Sequence, residues 1–160
     1  MKRRMTVLFA GAAALVLLAA AAGPAAFGAA HTVGTATIMV KGASTKVLTD
    51  AKGMTLYFVT TDTPTTSSCT GGCAKTWRPL LSASAPTAGE SLPGKLAVVK
   101  TANGPQVSYN GHPLYTFEGD SAPHQANGQG LGGKWWVAKV DLKPGAGKPG
   151  TGSGYGKGGY

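Results

Sequence analysis

The sequence predicts an all-β fold: a small compact domain of two related β-hairpin units with one short helix, ending in a disordered Gly-, Lys- and Tyr-rich C-terminal tail. Three observations predict it. Short β-rich runs bounded by turn residues fill residues 31–142. No long stretch repeats apolar residues with the helical period. A set of spaced residues also occurs twice at one constant offset.

Residues 1–30 read as a secretory signal peptide. Lys2, Arg3 and Arg4 form a positive flank, Met5 to Ala22 is uncharged and apolar, and Gly23-Pro24 with the following small residues offers a cleavage site near Ala30-His31 or after Gly28. The apolar run is also about long enough to span a bilayer. The helix breaker and small residues after it favour cleavage over a retained anchor. The Arg3-Arg4 pair is compatible with twin-arginine export, and no cysteine follows the apolar run to carry a lipid.

In the mature chain, Thr35 to Val40 is the first β-rich run. Lys46-Thr49 and Met54-Val59 flank a turn at Asp50-Gly53, predicting a hairpin. A short helix is expected from about Cys73 to Trp77, stopping before Pro79. Ser82 to Pro93, rich in Ser, Ala, Pro and Gly, reads as a connector. Leu96-Lys100 and Gln106-Tyr109 predict a second hairpin. Asn110-Gly111, a strong two-residue turn signal, leads into His112-Phe117. Pro113 lacks a donor, so that strand starts late or lies at an edge. Lys134 to Val140 is the last strand. The tail, 143–160, has no aliphatic residue larger than Ala and is expected to be disordered and basic. The domain is thus 31–142, with units at about 45–81 and 95–140.

The offset between Tyr57 and Tyr115 is 58, and Asp62 and Asp120 share it, as do Trp77 and Trp135. Each unit is therefore a hairpin, a polar loop and a Trp-bearing element. Leu56 and Tyr57, like Leu114 and Tyr115, are adjacent on a strand and face opposite sides of the sheet. The tyrosine ring should pack in the core with its hydroxyl satisfied. The Asp five residues later could accept that hydroxyl or cap the loop that follows. Each Trp is expected to close its own unit.

Cys69 and Cys73 are the two cysteines, and in an oxidising compartment they should pair across Gly71-Gly72, fixing a local turn. As thiolates they could instead hold a soft metal. His31, His112 and His124 have no metal-ligand spacing. His112, after a tight turn, is expected to be exposed, and His112 and His124 are the histidines to examine for a ligand role. No Gly-x-Ser-x-Gly motif is present, and six acids serve the whole chain, so no catalytic set is assembled and no cofactor is expected. Twelve basic residues against six acidic ones leave the mature chain at +6. An exported, moderately basic chain meets anionic cell-wall polymers or another envelope protein as partner, although the same charge also serves solubility alone, and lysines scattered without an Arg-rich stripe argue against nucleic acid.

The twofold Leu-Tyr-x4-Asp pattern, with Ser-x-Cys-x-Gly-Gly-Cys-Ala-x-x-Trp-x-Pro-Leu after the first copy and Asn-Gly-His-Pro-Leu-Tyr-x-Phe-x-Gly-Asp in the second, resembles the secreted-repeat lipoproteins of bacteria. The likeness covers roughly Gly53 to Val140. It implies a secreted or extracytoplasmic envelope protein without established activity, with Tyr57, Asp62, Tyr115 and Asp120 as the motif residues. Many members are lipid-anchored, and this chain has no cysteine placed for that. The expected function is a non-catalytic structural or binding module. The alternative is a metal-binding or redox accessory protein that uses Tyr, Asp, His or the cysteine pair.

Overall fold

The computed structural model describes residues 31–145. The expected signal peptide, and the tail beyond residue 145, lie outside the described residues.

Strands β1 (Val33–Val40) and β2 (Ala43–Asp50) form an antiparallel hairpin. Its turn, Lys41-Gly42, has positive φ at both residues (47° and 82°), the mirror-image geometry that matches strand twist. The chain then doubles back as expected at Asp50-Gly53: Thr49 bridges Thr55, and Asp50 Oδ1 accepts the amides of Lys52 and Met54. β3 (Tyr57–Val59) follows, then α1 (Cys73–Thr76) and β4 (Trp77–Pro79). The helix was expected to run on to Trp77. It stops at Thr76, because Trp77 instead joins a strand and pairs with Phe117.

In the second half, β5 (Leu96–Thr101), β6 (Gly104–Tyr109) and β7 (His112–Pro113) form a three-stranded sheet with β7 at its edge, where Pro113 loses no ladder bond. Asn110 and Gly111 make the predicted turn, both at positive φ. The single strand expected from His112 to Phe117 is divided. β7 pairs with β6, whereas β8 (Tyr115–Phe117) crosses into another sheet. β9 (Trp135–Val137) is last.

The central sheet has the order β4-β8-β3-β9. Each half therefore pairs its tyrosine strand with the other half's tryptophan strand. The register is symmetric at the offset of 58: Tyr57 pairs with Val137 and Pro79 with Tyr115, Phe58 with Trp136 and Arg78 with Thr116, Val59 with Trp135 and Trp77 with Phe117. β3 and β8 meet on the axis, where Tyr57 pairs with Tyr115. The symmetry extends to bonds outside the strands. Leu56 N donates to Leu48 O and Ala138 N to Leu56 O, and Leu114 N donates to Val107 O and Leu80 N to Leu114 O.

Two apolar clusters lie on the two sides of this sheet, as the Leu-Tyr alternation requires. Tyr57, Tyr115, Trp77, Trp135, Val59 and Val137 share one with Ile38, Val40 and Val47. Leu56, Leu114, Phe58, Leu48, Val107 and Tyr109 share the other. The connector after β4 is a loop, as composition suggested, yet it is tied to β1. Thr87 O accepts the amides of Thr32 and Val33, and Gly89 N donates to Val33 O. Glu90 reaches Lys46 at 2.6 Å and accepts the Thr35 hydroxyl.

Candidate functional site

Tyr57 and Tyr115 enter the same side of the central sheet from adjacent strands, and both are fully buried. Beyond each strand the chain turns at an aspartate, with Asp62 N bonded to Val59 O and Asp120 N to Phe117 O. These turns bring each carboxyl group back over the other half. Tyr57 donates its hydroxyl proton to Asp120 Oδ2 at 2.6 Å, and Tyr115 donates to Asp62 Oδ2 at 2.5 Å. The sequence reading offered each aspartate either as a loop cap or as the partner of the tyrosine five residues before it. The structure corrects that: the partner is the aspartate of the other unit, because strand exchange in the sheet puts each loop above the opposite tyrosine.

The capping role expected of the aspartates is present as well. Asp62 Oδ1 accepts the amide and hydroxyl of Ser68, and Asp120 Oδ1 accepts the amide of Asn127. Both carboxyl groups are buried, at 3% and 6% exposure, so a buried polar group is matched on every side. Burial, then the bond to Asp120, pushes the Tyr57 phenol well above its ordinary value near 10. Burial followed by the bond to Asp62 does the same for Tyr115. Both shifts favour the neutral phenol, the form that donates to the carboxylate.

Trp77 and Trp135 do not each close their own unit. Their rings stack on each other at 3.8 Å between centroids and 1° between planes. Each also meets its own unit's tyrosine edge-on, Tyr57 with Trp77 at 5.4 Å and Tyr115 with Trp135 at 5.2 Å. The motif is thus one buried assembly of four rings and two carboxyl groups about a pseudo-twofold axis.

Sequence reasoning missed the residues that complete it. Ser67 Oγ lies 2.6 Å from the Tyr115 oxygen, and Asn103, in the second unit's hairpin turn, donates to Ser67 Oγ and to Cys69 O. On the other side Gly128 N donates to the Tyr57 oxygen at 3.3 Å. A Cβ at Gly128 would come within 2.7 Å of Trp77 and 2.9 Å of Tyr57, so only glycine permits that approach. The sequence signal for it was a glycine within a polar loop next to Asn127.

Cys69 and Cys73 form the expected disulfide, Cys69 buried and Cys73 exposed. His112 is buried at 3% exposure rather than exposed: β7 turns it inward against Phe58, with Nε2 3.1 Å from Lys143 O. Burial pushes its imidazole below the ordinary range. His124 sits in an exposed loop at φ 70°. Among the described residues no three of His, Cys, Asp and Glu are grouped to hold a metal ion. A surface cavity of roughly 370 Å³ lies beside His31, Thr35, Thr49, Asp50 and Glu90, apart from the motif, and both carboxyl groups there are engaged in the bonds described above. Among the described residues no helix is long and apolar enough to cross a membrane.

Segments 39–81 and 97–139 each match the family model described as a secreted repeat of unknown function, and the chain belongs to that family. The two matched segments coincide with the two exchanging halves of the sheet. No curated protein and no solved structure matches the chain.

Proposed function

We propose that this member of the secreted-repeat family is an exported envelope module with no catalytic chemistry, which binds anionic wall polymers or an envelope partner through its positively charged surface. The observation that carries the reading is the fate of the repeated motif. All four Tyr and Asp side chains are buried and consumed by one another, leaving no reactive group of the motif open to a substrate.

Charge supports the binding half of the proposal. Of the six carboxyl groups, Asp62 and Asp120 are buried, and Glu90 and Glu118 face Lys46 and Arg78. Exposed lysines such as Lys41, Lys52, Lys75 and Lys100 outnumber the acids that remain, and the sequence adds Lys148 and Lys157 beyond the described residues. Such a surface attracts polyanions, and salt screens the attraction.

A sedimentation assay with purified cell wall tests this. The chain spanning residues 31–160 should co-sediment with the wall and be released progressively by added salt, and Tyr57→Phe should bind like the parent at temperatures where it is folded. Binding that ignores salt, or that Tyr57→Phe abolishes in a folded protein, would overturn the proposal.

A further inference from the structure

We propose that this chain exchanges units with a second copy of itself, forming a dimer in which the first unit of each chain closes against the second unit of the other. Neither unit is complete alone. The first supplies β3 and β4 to the central sheet and the second supplies β8 and β9, yet β3 does not neighbour β4 and β8 does not neighbour β9. Tyr57 needs Asp120, Tyr115 needs Asp62, and Trp77 needs the face of Trp135. The hairpin turns follow the same rule: Asn103 holds the first unit's disulfide loop, and the Lys41 ammonium lies beside Gly130 of the second. The surface each unit presents is complementary to the other unit, and every copy of the chain carries both.

What decides between closing on itself and closing on a neighbour is the link between units. After Leu81 and Ser82 pair across to β6, the connector returns to the first unit at Thr87 and stays with it to Glu90, through Thr87, Gly89 and the Lys46 ion pair. Lys95 already belongs to the second, since Lys95 N donates to Asn110 Oδ1 and Asn110 N to Lys95 O. The hinge is therefore Ser91-Leu92-Pro93-Gly94: Ser91 and Pro93 are exposed, while Leu92 packs on the cluster that holds Tyr109 and Gly94 lies against the Tyr109 ring, contacts that must rearrange with the hinge. Reopening those four residues allows every register pair, Tyr–Asp bond and ring stack to re-form between chains. Monomer and exchanged dimer then differ only in the hinge and in the entropy of association. A dimer would also carry two copies of the lysine-bearing segment 143–160, which multiplies attachment to a polymer without any new contact.

Two full-length variants over residues 31–160 test the exchange, each with one unit disabled: Tyr57→Ala with Trp77→Ala, and Tyr115→Ala with Trp135→Ala. Each is expected to lose the native near-ultraviolet tryptophan signal alone. Refolded together at equal concentration with the disulfide intact, they should yield a 1:1 complex with about half the parent's native signal, from one restored lobe. A second arm needs no substitution. Parent chain in two mass-labelled forms is unfolded and refolded together over a range of concentrations, and should give dimers that contain both labels and persist on dilution, their share rising with concentration. A 1:1 complex with regained native signal supports the exchange, as does a mixed-label dimer that forms on refolding but not on mixing folded chains; mixed-label dimers that form equally from folded chains contradict it. A variant mixture that equals the sum of its parts, together with parent that refolds as monomer at every concentration, overturns it.

Discussion

The loop after Tyr57 and the loop after Tyr115 deliver the same groups to equivalent places by different means. In the first unit, residues 62–77 hold a disulfide and the short helix α1, and Ser68 offers amide and hydroxyl to Asp62. In the second, residues 120–135 have no cysteine. Asp120 caps the Asn127 amide, Gly128 approaches Tyr57, and a 3-10 turn at Leu131–Gly133 leads into Trp135. Gly130 N also bonds to Trp135 O at 2.7 Å, and Gln129 Oε1 accepts the Val137 amide. A covalent staple and a glycine-rich wrap thus end in equivalent tyrosine–carboxylate pairs. What the fold holds constant is the buried assembly on the axis, while the loops that feed it vary.

The comparison is broken most severely at the axis. Trp77→Ala and Trp135→Ala each remove a stacked ring that both halves share, and each should cost about 3–5 kcal/mol in chemical denaturation. Near-equal losses are expected despite the unlike loops; a large inequality would show that the stack is not shared.

Alkaline pH probes the two phenols together. Their pKa values are raised in the folded state, so folding retains protons that the unfolded chain gives up. The stability they contribute is complete below pH 10 and falls as pH rises above it, by about 1.4 kcal/mol per pH unit for each tyrosine. Denaturation midpoints between pH 9 and 12 should show the decline, and Tyr57→Phe with Tyr115→Phe should reduce it, leaving the part due to Tyr109, whose phenol burial also raises.

The loops themselves separate next. Replacing Cys69 and Cys73 by Ser should cost about 2 kcal/mol, since so small a ring restrains little unfolded chain. In the second unit Gly128→Ala drives a methyl group into Trp77 and Tyr57 and should cost about 1–3 kcal/mol by the same assay. The smallest effect is expected at His112. Its pKa is lowered by burial, so the stability it contributes is present above pH 6.5 and declines as pH falls below that. His112→Gln should remove this acid-side slope in thermal melts between pH 5 and 8.

Much of this was legible in the residues. Adjacent Leu-Tyr pairs announced a two-sided sheet, and both clusters follow that alternation. The offset of 58 announced two copies of one unit, and it reappears in the strand register. The turn at Asn110-Gly111 followed from backbone chemistry alone, and of the late start or edge position that chemistry left open for Pro113 the structure has the edge. Exchange between units was not legible. A Tyr-x4-Asp spacing fits a bond within a unit as well as one between units, and only the sheet order distinguishes them. Lys41-Gly42 was not marked as a turn because lysine at positive φ is unusual, and the pairing of all eight residues of β1 and β2 imposes it. His112 was misjudged because exposure was inferred from the preceding turn, whereas the strand's pairing with β6 decides its direction.

The cross-unit bonds are tested most directly by two double-mutant cycles measured in the same denaturant, one pairing Tyr57→Phe with Asp120→Asn and the other pairing Tyr57→Phe with Asp62→Asn. The structure predicts a coupling of about 1–3 kcal/mol for Tyr57 with Asp120 and nearly none for Tyr57 with Asp62. Coupling confined to Tyr57 and Asp62 would mean that each unit keeps its own bond and would contradict the exchanged architecture.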